Sequence, residues 1–443
     1  MKKTIKALSL IISICIIFVF AGCGSCGSCS GCSGCGGDTN KKSRMKNIDV
    51  WVYSEQTAQL IRNAFLSDNP ALEWGLDIKV VDAGSFSEEF EQAKSENKTP
   101  DVVLLSPDNL SIYLDSGDLA DLLSLGLEPD AIRCYPYAYD MGFDSENIMR
   151  AMCWQADPTL FFYRRSIAKY YLGTDDPTEI SGMLSTRDGF LSTARKLSEL
   201  STGRTRMLAG TQDIIDICMS ENTSGWFGDG GNFKISSTAL NCLDLARTMT
   251  DEKLTWNAEQ YSPAWLSGMS DGQSVFGYFM SSIELESILK KACGGTIPGE
   301  GTFGDWGAVT GFAGCNLGGS WMAVCEQSDQ KEQALYFVSY FTCETEAMKK
   351  YFLASGDFSA DSIVSEQIKF DSQFTESFLG GQNYYSLLAQ SAERIPMKKH
   401  SAYDTDINAA FSDCVKAYSQ EYKTRDQALS DFETTVRQIT GTD

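Results

Sequence analysis

Histidine is almost absent from this chain, since His400 is the only one among 443 residues. It lies in the polar connection Lys398-Lys399-His400-Ser401, with no nucleophile motif beside it. A Ser/His or Cys/His hydrolase needs a histidine that is hydrogen-bonded to its nucleophile and oriented by a third group. The sequence therefore argues against that class of enzyme. The 59 acidic residues leave open a glycosidase, which needs only a pair of carboxylates.

Positive charge is also scarce, with 37 Lys and Arg against 59 Asp and Glu and a formal net charge of −22. A surface of this sign repels nucleic acid and anionic lipid, so neither is expected as a binding partner. The length of 443 residues exceeds the range of about 250 to 300 at which single cores stop growing. Two lobes are therefore expected.

The apolar stretch at the start of the chain is shorter than a typical membrane-spanning helix. It covers the fifteen residues from Ala7 to Ala21, whereas a spanning helix needs about 20. Lysines precede it and small residues follow it, an arrangement typical of a secretory signal. We therefore predict that residues 1–22 are a signal peptide and that the mature protein is extracytoplasmic.

The end of this signal resembles the lipobox of bacterial lipoproteins. The residues concerned are Phe20-Ala21-Gly22-Cys23. In such proteins the cysteine thiol receives a diacylglyceryl group and the cysteine becomes the first residue of the mature chain. The resemblance implies a lipid anchor at Cys23 on the outer face of the cell membrane, where two long chains bind far better than one.

The fifteen cysteines fall into two main groups. Five recur at every third position of a Gly/Ser-rich tract, at Cys23, Cys26, Cys29, Cys32 and Cys35. Residues 23–47 carry no hydrophobic period and are predicted to be a flexible tether. Binding of a soft metal by these thiolates is the alternative. Nine further cysteines are scattered through the rest of the chain, an odd number that cannot all pair among themselves. No metal or cofactor is predicted for the folded part.

The first folded segments alternate between strand and helix patterns. Strands are predicted at residues 48–53, 76–81 and 101–106, and helices at 56–65 and 86–96. Such alternation predicts a parallel sheet with crossover helices, in which ligands collect at the carboxyl ends of the strands. Glu55 and Asp108 follow two of these strands, and their carboxylates can accept hydrogen bonds from the hydroxyl groups of a ligand. Compensation of helix N-terminal charge is an equal alternative for both.

Later segments continue this α/β pattern. A Gly-rich loop at residues 224–231 contains Trp226, and a strand at 274–280 leads into a helix that Ser281 or Ser282 could cap. Strands are predicted at 305–312 and 318–324. Toward the C-terminus, helical spacing places Ile407, Phe411, Cys414, Tyr418 and Tyr422 on one face, and Thr424 with Gln427 forms a capping box.

Four segments in order carry a family resemblance. They are Pro100 to Val103, Tyr113 to Leu122, Trp154 to Ala168 and Gly318 to Val324. Their order resembles that of bacterial extracellular solute-binding proteins of family 1, the sugar-type receptors of ATP-driven importers. The resemblance implies a type II periplasmic-binding-protein fold, with two α/β lobes that each hold a mainly parallel sheet flanked by helices and are joined by crossing strands. The expected limits are 48–153 with 315–353 for lobe 1, and 154–314 with 354–443 for lobe 2.

The same resemblance implies a function without catalysis. A carbohydrate, here expected to be an oligosaccharide, is enclosed between the lobes by hinge closure and delivered to a membrane permease. A monomer is expected. The alternative is a surface-anchored glycan-processing enzyme that uses a carboxylate pair.

Further ligand-binding residues are expected along the crossing segments and loops. An indole has a flat apolar face that fits a pyranose and an N–H that can reach a hydroxyl. The aromatic candidates are Trp154, Trp226, Trp306 and Trp321. Asp157 is a further hydroxyl acceptor, and Gly319, next to Gly318, lets the backbone approach the ligand. Ser281 completes the predicted set.

Overall fold

The computed structural model describes residues 46–228, 231–270, 274–372, 374–398, 401 and 403–442. The predictions of a signal peptide, of a lipid anchor at Cys23 and of most of the tether lie outside the described residues. No helix within the described ranges is both long enough and apolar enough to cross a membrane.

Nine strands occur among these residues. They are β1 Ile48–Val52, β2 Leu76–Val80, β3 Val102–Leu105, β4 Met152–Ala156, β5 Leu160–Arg164, β6 Gly277–Met280, β7 Trp306–Val309, β8 Ser320–Val324 and β9 Phe358–Ser359. They form a larger sheet in the order β2-β1-β3-β8-β4-β9 and a smaller sheet in the order β6-β5-β7.

Helices cover both sheets. They are α1 Glu55–Asp68, α2 Phe86–Ser95, α3 Pro107–Tyr113, α4 Pro136–Asp140, α5 Arg165–Ile167, α6 Pro177–Leu184, α7 Arg187–Leu200, α8 Gln212–Ser220, α9 Ser237–Asp251, α10 Pro263–Ser267, α11 Ser282–Glu284, α12 Lys290–Ala292, α13 Lys331–Thr342, α14 Thr345–Ser355, α15 Ser362–Lys369, α16 Tyr385–Ala392, α17 Asp404–Ser419 and α18 Arg425–Thr440. Short π-helical stretches follow α5 and join α11 to α12.

The N-terminal part of the fold follows directly from its apolar pattern. All four residues of β3 are buried, as expected of a strand that is covered on both faces. Ser54 caps α1 by accepting the backbone N–H of Thr57, which satisfies one donor of the first turn. Phe65 of α1 packs edge-on against Tyr340 of α13, with ring centroids 5.1 Å apart. The parallel pairing of β1 with β2 and β3 confirms the predicted crossover arrangement.

Strand β5 lies between two apolar cores, and its side chains point alternately into one and the other. Leu160 and Phe162 belong to a core that extends over the larger sheet, whereas Phe161 and Tyr163 belong to a second core under α6 to α9, α17 and α18. Successive side chains of a strand point to opposite faces, so both faces of the smaller sheet are covered.

Strand direction in the smaller sheet differs from the prediction of a mainly parallel sheet in each lobe. Both β6 and β7 run antiparallel to β5. The chain path gives the reason, because β5 leads away from the crossing segment and β7 leads back toward it. The two crossing segments meet where Pro158 bridges to Asn316. For the same reason β8 runs antiparallel to β4 in the larger sheet.

The lobe limits remain a prediction. The larger sheet takes its edge strand β9, Phe358–Ser359, from a segment that the sequence assigned to the second lobe. The cysteines from Cys134 to Cys414, nine in the described part of the chain, are free thiols. Burial raises the pKa of the Cys315 thiol to about 12, and burial also raises the pKa of the Cys414 thiol to about 11. Such buried thiols behave as apolar core residues.

Candidate functional site

Two of the predicted site residues lie at the carboxyl edge of the larger sheet. Glu55 begins α1 directly after β1, and Asp108 lies in the first turn of α3 after β3, with both side chains exposed. Because β1 and β3 are parallel neighbours, their carboxyl ends meet at one edge. Tyr53 joins the two loops, since its Oη accepts the backbone N–H of Ser106 at 2.6 Å. The structure thus brings Glu55 and Asp108 to the same edge.

Asp157 lies on the segment that crosses from β4 to β5. Its backbone N–H donates to Asn316 Oδ1 at 3.0 Å, and its carbonyl accepts the N–H of Leu317 at 3.3 Å. The side chain is 5 % exposed, and its Oδ1 has no hydrogen-bond partner among the described residues. A β carbon at position 318 would lie 2.7 Å from Asp157 Oδ2, so Gly318 leaves the space that this carboxyl group occupies.

Ser281 and Glu284 approach Asp157 from the smaller sheet. Burial raises the pKa of Asp157 well above its ordinary value, and the negative charge of Glu284 adds to the rise. Hydrogen bonds from Ser281 and from the backbone of Ile283 oppose it. Ser281 caps α11, because its Oγ accepts the N–H of Glu284 while the Glu284 carboxylate accepts the N–H of Ser281. Two predicted site residues, Asp157 and Ser281, are therefore neighbours.

Helix α8 contributes two acids that the sequence analysis did not identify, Asp213 and Asp216. Burial raises the pKa of Asp213 to about 8, with the charges of Asp216 and Glu284 adding to the effect. Burial also raises the pKa of Asp216. The sequence feature that could have identified them is the spacing of two acids, three residues apart, in the mainly apolar helix Gln212–Ser220. We call Asp157, Asp213, Asp216 and Glu284 the acidic wall.

The segment from Gln260 to Trp265, which runs into α10, supplies donors to three of the four acids. The bonds are Gln260 Nε2 to Asp216 Oδ2 at 3.2 Å, Tyr261 Oη to Glu284 Oε1 at 2.8 Å and Trp265 Nε1 to Asp213 Oδ2 at 3.4 Å. Asp213 Oδ1 is left without a hydrogen-bond partner among the described residues. This segment therefore joins α8 to α11 through Asp213, Asp216 and Glu284.

A chain of hydrogen bonds crosses the larger sheet next to this wall. Trp154 Nε1 donates to Ser320 Oγ at 2.6 Å, and Ser320 donates in turn to Gln155 Oε1 at 2.6 Å. Gln155 Nε2 then donates to Asp357 Oδ2 at 2.7 Å. Burial raises the pKa of Asp357 to about 6. This chain fixes β4, β8 and the segment before β9 relative to one another.

The four predicted tryptophans do not line an open surface. Trp154, Trp306 and Trp321 are 0 % exposed, and Trp226 is 2 % exposed. Each indole N–H donates a hydrogen bond inside the protein. Trp154 donates to Ser320 Oγ and Trp226 to Asn408 Oδ1. Trp306 donates to Thr302 Oγ1 and Trp321 to the carbonyl of Ala138. Their burial has a structural reason, because three of them lie in strands covered on both faces and Trp226 packs against Phe411 and Phe432. Their role in ligand binding stays a prediction.

Gly319 adopts a backbone conformation that other residues avoid. Its φ is +104°, and a β carbon there would lie 2.7 Å from the carbonyl oxygen of Gln155. We expect Gly319→Ala to lower the free energy of unfolding by about 1–3 kcal/mol, through left-handed strain and this contact. Urea denaturation measures the change.

The control for this variant is Gly182→Ala, within α6. A β carbon at Gly182 meets nothing within 4 Å. That change should be neutral or slightly stabilising, since alanine favours helix. Equal stabilities for the two variants would contradict the argument.

Helix α17 connects the carboxyl edge of the larger sheet with helix α8. Thr405 Oγ1 donates to Asp108 Oδ1 at 3.0 Å, although the residues are 297 positions apart in sequence. Further along the same helix, Ser412 Oγ accepts from Gln212 Nε2 of α8 at 3.2 Å. Asp108 at the edge of the larger sheet is thus linked through α17 to the helix that carries Asp213 and Asp216.

Two pockets lie elsewhere. One of about 690 Å³ lies at the amino ends of β1, β2 and β3, with Lys46, Asp49, Asp77 and Asp101 in its wall. Another of about 370 Å³ lies between α17 and α18. Neither contains any of the nine predicted ligand-binding residues. In the described part of the chain no three His, Cys, Asp or Glu side chains are placed to hold one metal ion.

Comparison with known sequences identifies one family. The profile of the family described as bacterial extracellular solute-binding protein matches residues 67–375. Among curated proteins no sequence matches this chain.

Solved structures resemble the whole described fold. An extracellular solute-binding protein family 1 structure matches with a TM-score of 0.77 at 14 % identity, over 89 % of this chain and 100 % of that chain. The sugar-binding protein MalE of Xanthomonas citri matches with a TM-score of 0.71 at 15 % identity, over 89 % and 97 %. The ABC transporter associated binding protein of B. animalis subsp. lactis Bl-04, in complex with β-1,6-galactobiose, matches at 0.65 and 19 % identity, over 88 % and 96 %. These matches confirm the predicted two-lobe α/β fold.

Proposed function

Because this chain belongs to the bacterial extracellular solute-binding proteins, we propose that it captures a carbohydrate between its two lobes and delivers it to the permease of an ABC importer. Membership of this family places the protein outside the cytoplasm. The observation that carries the proposal is the position of Asp157, whose buried and partly unpartnered carboxyl group lies where the crossing segments meet Ser281. A buried polar atom without a partner costs free energy unless a ligand satisfies it.

A sugar fits the chemistry of this region. Glu55 and Asp108 offer carboxylate oxygens at one edge, and Gln260 and Tyr261 offer groups that donate and accept hydrogen bonds at the other. Sugar hydroxyls need both kinds of partner. The solved relatives include a binding protein in complex with lacto-N-biose and another in complex with acarbose, which supports an oligosaccharide as the solute.

Capture would proceed by closure about the crossing segments. The contact of Thr405 with Asp108 is made when the two edges are together, so opening would break it. A solute can favour the closed form only by binding it more tightly than the open form. Contacts with both edges would make binding to the closed form tighter. A solute bound by both Asp108 and Glu284 would lose its hydrogen bonds to one of them when the lobes separate.

The remaining elements of the proposal concern the cell surface. Residues 1–22 would be removed during export, Cys23 would carry the lipid, and residues 23–47 would be the tether between membrane and receptor. The protein would act as a monomer and would present its closed form to the permease.

The proposal is tested by thermal denaturation and calorimetry with a panel of oligosaccharides. A true ligand at a hundredfold excess over its Kd should stabilise the protein by about 2.7 kcal/mol. The matched control is Asp157→Asn, which should bind the same sugar more weakly.

Three results would count against the proposal. Heat only with solutes that are not sugars would contradict carbohydrate capture. An unchanged affinity in Asp157→Asn would contradict the position of the site. Turnover of a glycan by the purified protein would instead support the glycan-processing alternative.

A further inference from the structure

The smaller sheet extends beyond its three strands into two further segments, residues 206–209 and 254–258. Segment 206–209 lies parallel to the chain that enters β6, through a bridge between Arg206 and Val275. Segment 254–258 lies parallel to segment 206–209 in turn. Because parallel neighbours end on the same side, the ends of β6 and of the two segments together form the carboxyl edge of the smaller sheet.

A helix begins shortly after each of these three carboxyl ends. The helices are α8, α10 and α11, which start at Gln212, Pro263 and Ser282. In α/β sheets, ligands bind in the crevice outside the carboxyl ends of the strands. The loop of residues 259–262, which joins segment 254–258 to α10, therefore lies where a ligand is expected.

This edge lies beside the segment that crosses from β4 to β5. Met280, the last residue of β6, pairs with Leu160, the first residue of β5. Pro158 of the crossing segment comes just before Leu160, and Ser281 comes just after Met280. The strand pairing thus places the carboxyl edge of the smaller sheet next to the point where the two crossing segments meet.

Tyr261 is the exposed aromatic residue of this loop. It is 52 % exposed, whereas the four predicted tryptophans are buried. Its Oη donates to Glu284 Oε1 at 2.8 Å, and its ring lies edge-to-face with that of Trp265, with the centroids 5.2 Å apart. Tyr261 forms no other ring contact with the described residues. The ring is therefore held in position with much of its surface open to solvent.

The backbone of Tyr261 adopts a conformation that bulky residues rarely take. Its φ is +62°, in the left-handed region. On one side Gln260 Nε2 donates to Asp216 Oδ2 at 3.2 Å. On the other side the N–H of Ser262 donates to the carbonyl of Glu259 at 3.0 Å. Such strain costs free energy and clusters at ligand-binding sites. A strained and exposed aromatic residue adds little to the stability of the fold, so a role in binding explains its position better.

We infer that the ring of Tyr261 is the surface on which a pyranose ring of the solute stacks. This inference rests on the proposed function, because it takes the solute to be a carbohydrate bound beside the crossing segments. The apolar C–H face of a pyranose fits the flat face of an aromatic ring. The hydrogen bond to Glu284 fixes the orientation of the ring, so its face is ready to receive the sugar.

The test is isothermal titration calorimetry of the mature full chain with four probes. Three are oligosaccharides that differ in pyranose stereochemistry and linkage, namely maltotriose, cellotriose and β-1,4-galactotriose. The fourth is sorbitol, a linear polyol without a ring. We expect at least one oligosaccharide to bind the unaltered protein. Tyr261→Ala should weaken that binding about tenfold, because the stacking surface is lost.

Two further variants separate the ring from its hydroxyl. Tyr261→Phe keeps the ring and should hold the affinity within about threefold. Tyr261→Leu keeps an apolar side chain without a ring face and should lose affinity as alanine does. Because Tyr261 is half exposed, all three variants should fold, which thermal denaturation without solute checks.

The matched control is Tyr170→Ala. Tyr170 is 80 % exposed and lies in the π-helical stretch that follows β5 and α5. Strand β5 runs antiparallel to β6, so its carboxyl end lies at the opposite edge of the smaller sheet. This variant should leave the affinity for the oligosaccharide unchanged.

The outcomes separate this inference from the proposed function. Unchanged affinity in Tyr261→Ala overturns the stacking inference and leaves carbohydrate capture standing. Equal losses in Tyr261→Phe and Tyr261→Ala also overturn it, because the hydroxyl and its bond to Glu284 would then support binding. Binding of sorbitol alone overturns it, since that probe has no ring face. Binding of none of the four overturns it as well, and the oligosaccharide panel then decides the function.

Discussion

Replacement of Trp154 by alanine should lower the free energy of unfolding by about 3–5 kcal/mol. The side chain is fully buried, and its ring lies 4.7 Å from that of Tyr351 and 6.0 Å from that of Phe352, centroid to centroid. Alanine would leave a cavity between β4 and α14. It would also remove the donor to Ser320 Oγ, which begins the hydrogen-bond chain to Asp357.

The measurement is chemical denaturation followed by tyrosine and tryptophan fluorescence. Trp154→Phe is the matched control, since it keeps most of the apolar volume and loses only the N–H. That control should cost clearly less than the alanine variant. If Trp154→Ala weakened sugar binding while leaving stability unchanged, the indole would be a ligand contact and its structural role would be wrong.

The second large effect concerns pH. Asp213 has a pKa of about 8 in the folded protein, raised by burial from an ordinary value of 3.8, with Asp216 and Glu284 as charged neighbours. Between these two values the folded form binds one proton more than the unfolded form, so stability must fall as pH rises. One proton corresponds to at most about 1.4 kcal/mol per pH unit.

The window from pH 6 to pH 8 contains the titration of Asp213, and Asp157, whose pKa burial also raises well above its ordinary value, adds to the same decline in stability. Asp49 and Asp357, with pKa values of about 6, contribute mainly below it. We expect the unfolding free energy of the ligand-free protein to decline across the window and Asp213→Asn to decline less steeply. Asp188→Asn, at the exposed start of α7, should keep the original slope. Identical slopes for the unaltered protein and Asp213→Asn would show that Asp213 is ionised throughout.

The sequence predicted the elements whose signal is local. The strand at Ile48–Val52 and the helix at Phe86–Ser95 follow from short-range apolar periodicity, and the capping box at Thr424 and Gln427 follows from side chains three residues apart. The residues that determine each of these elements lie within a few positions of one another, so the prediction depends little on distant parts of the chain.

Features that depend on distant contacts were less predictable. Asp157, Asp213 and Glu284 come from three segments that only the fold brings together, and each alone looks like an ordinary acid. Trp154 and Trp321 lie in the strands β4 and β8, but a strand pattern does not tell which neighbours cover its side chains.

Tyr422 shows a different error, at a helix end. Helical spacing put it on the buried face of the C-terminal helix, yet it is 77 % exposed. α17 ends at Ser419, and Glu421 then adopts a φ of +63°, which turns the chain before Tyr422. The periodic pattern continued past the point where the backbone stopped being helical.

The central claim is that the solute binds between the carboxyl edge of the larger sheet and the acidic wall. A crystal structure with a bound oligosaccharide from the panel tests it most directly. The sugar is expected within hydrogen-bond distance of Asp108, Asp157 and Glu284. A sugar ordered instead in the pocket of about 690 Å³ at the amino ends of β1 to β3 would contradict it.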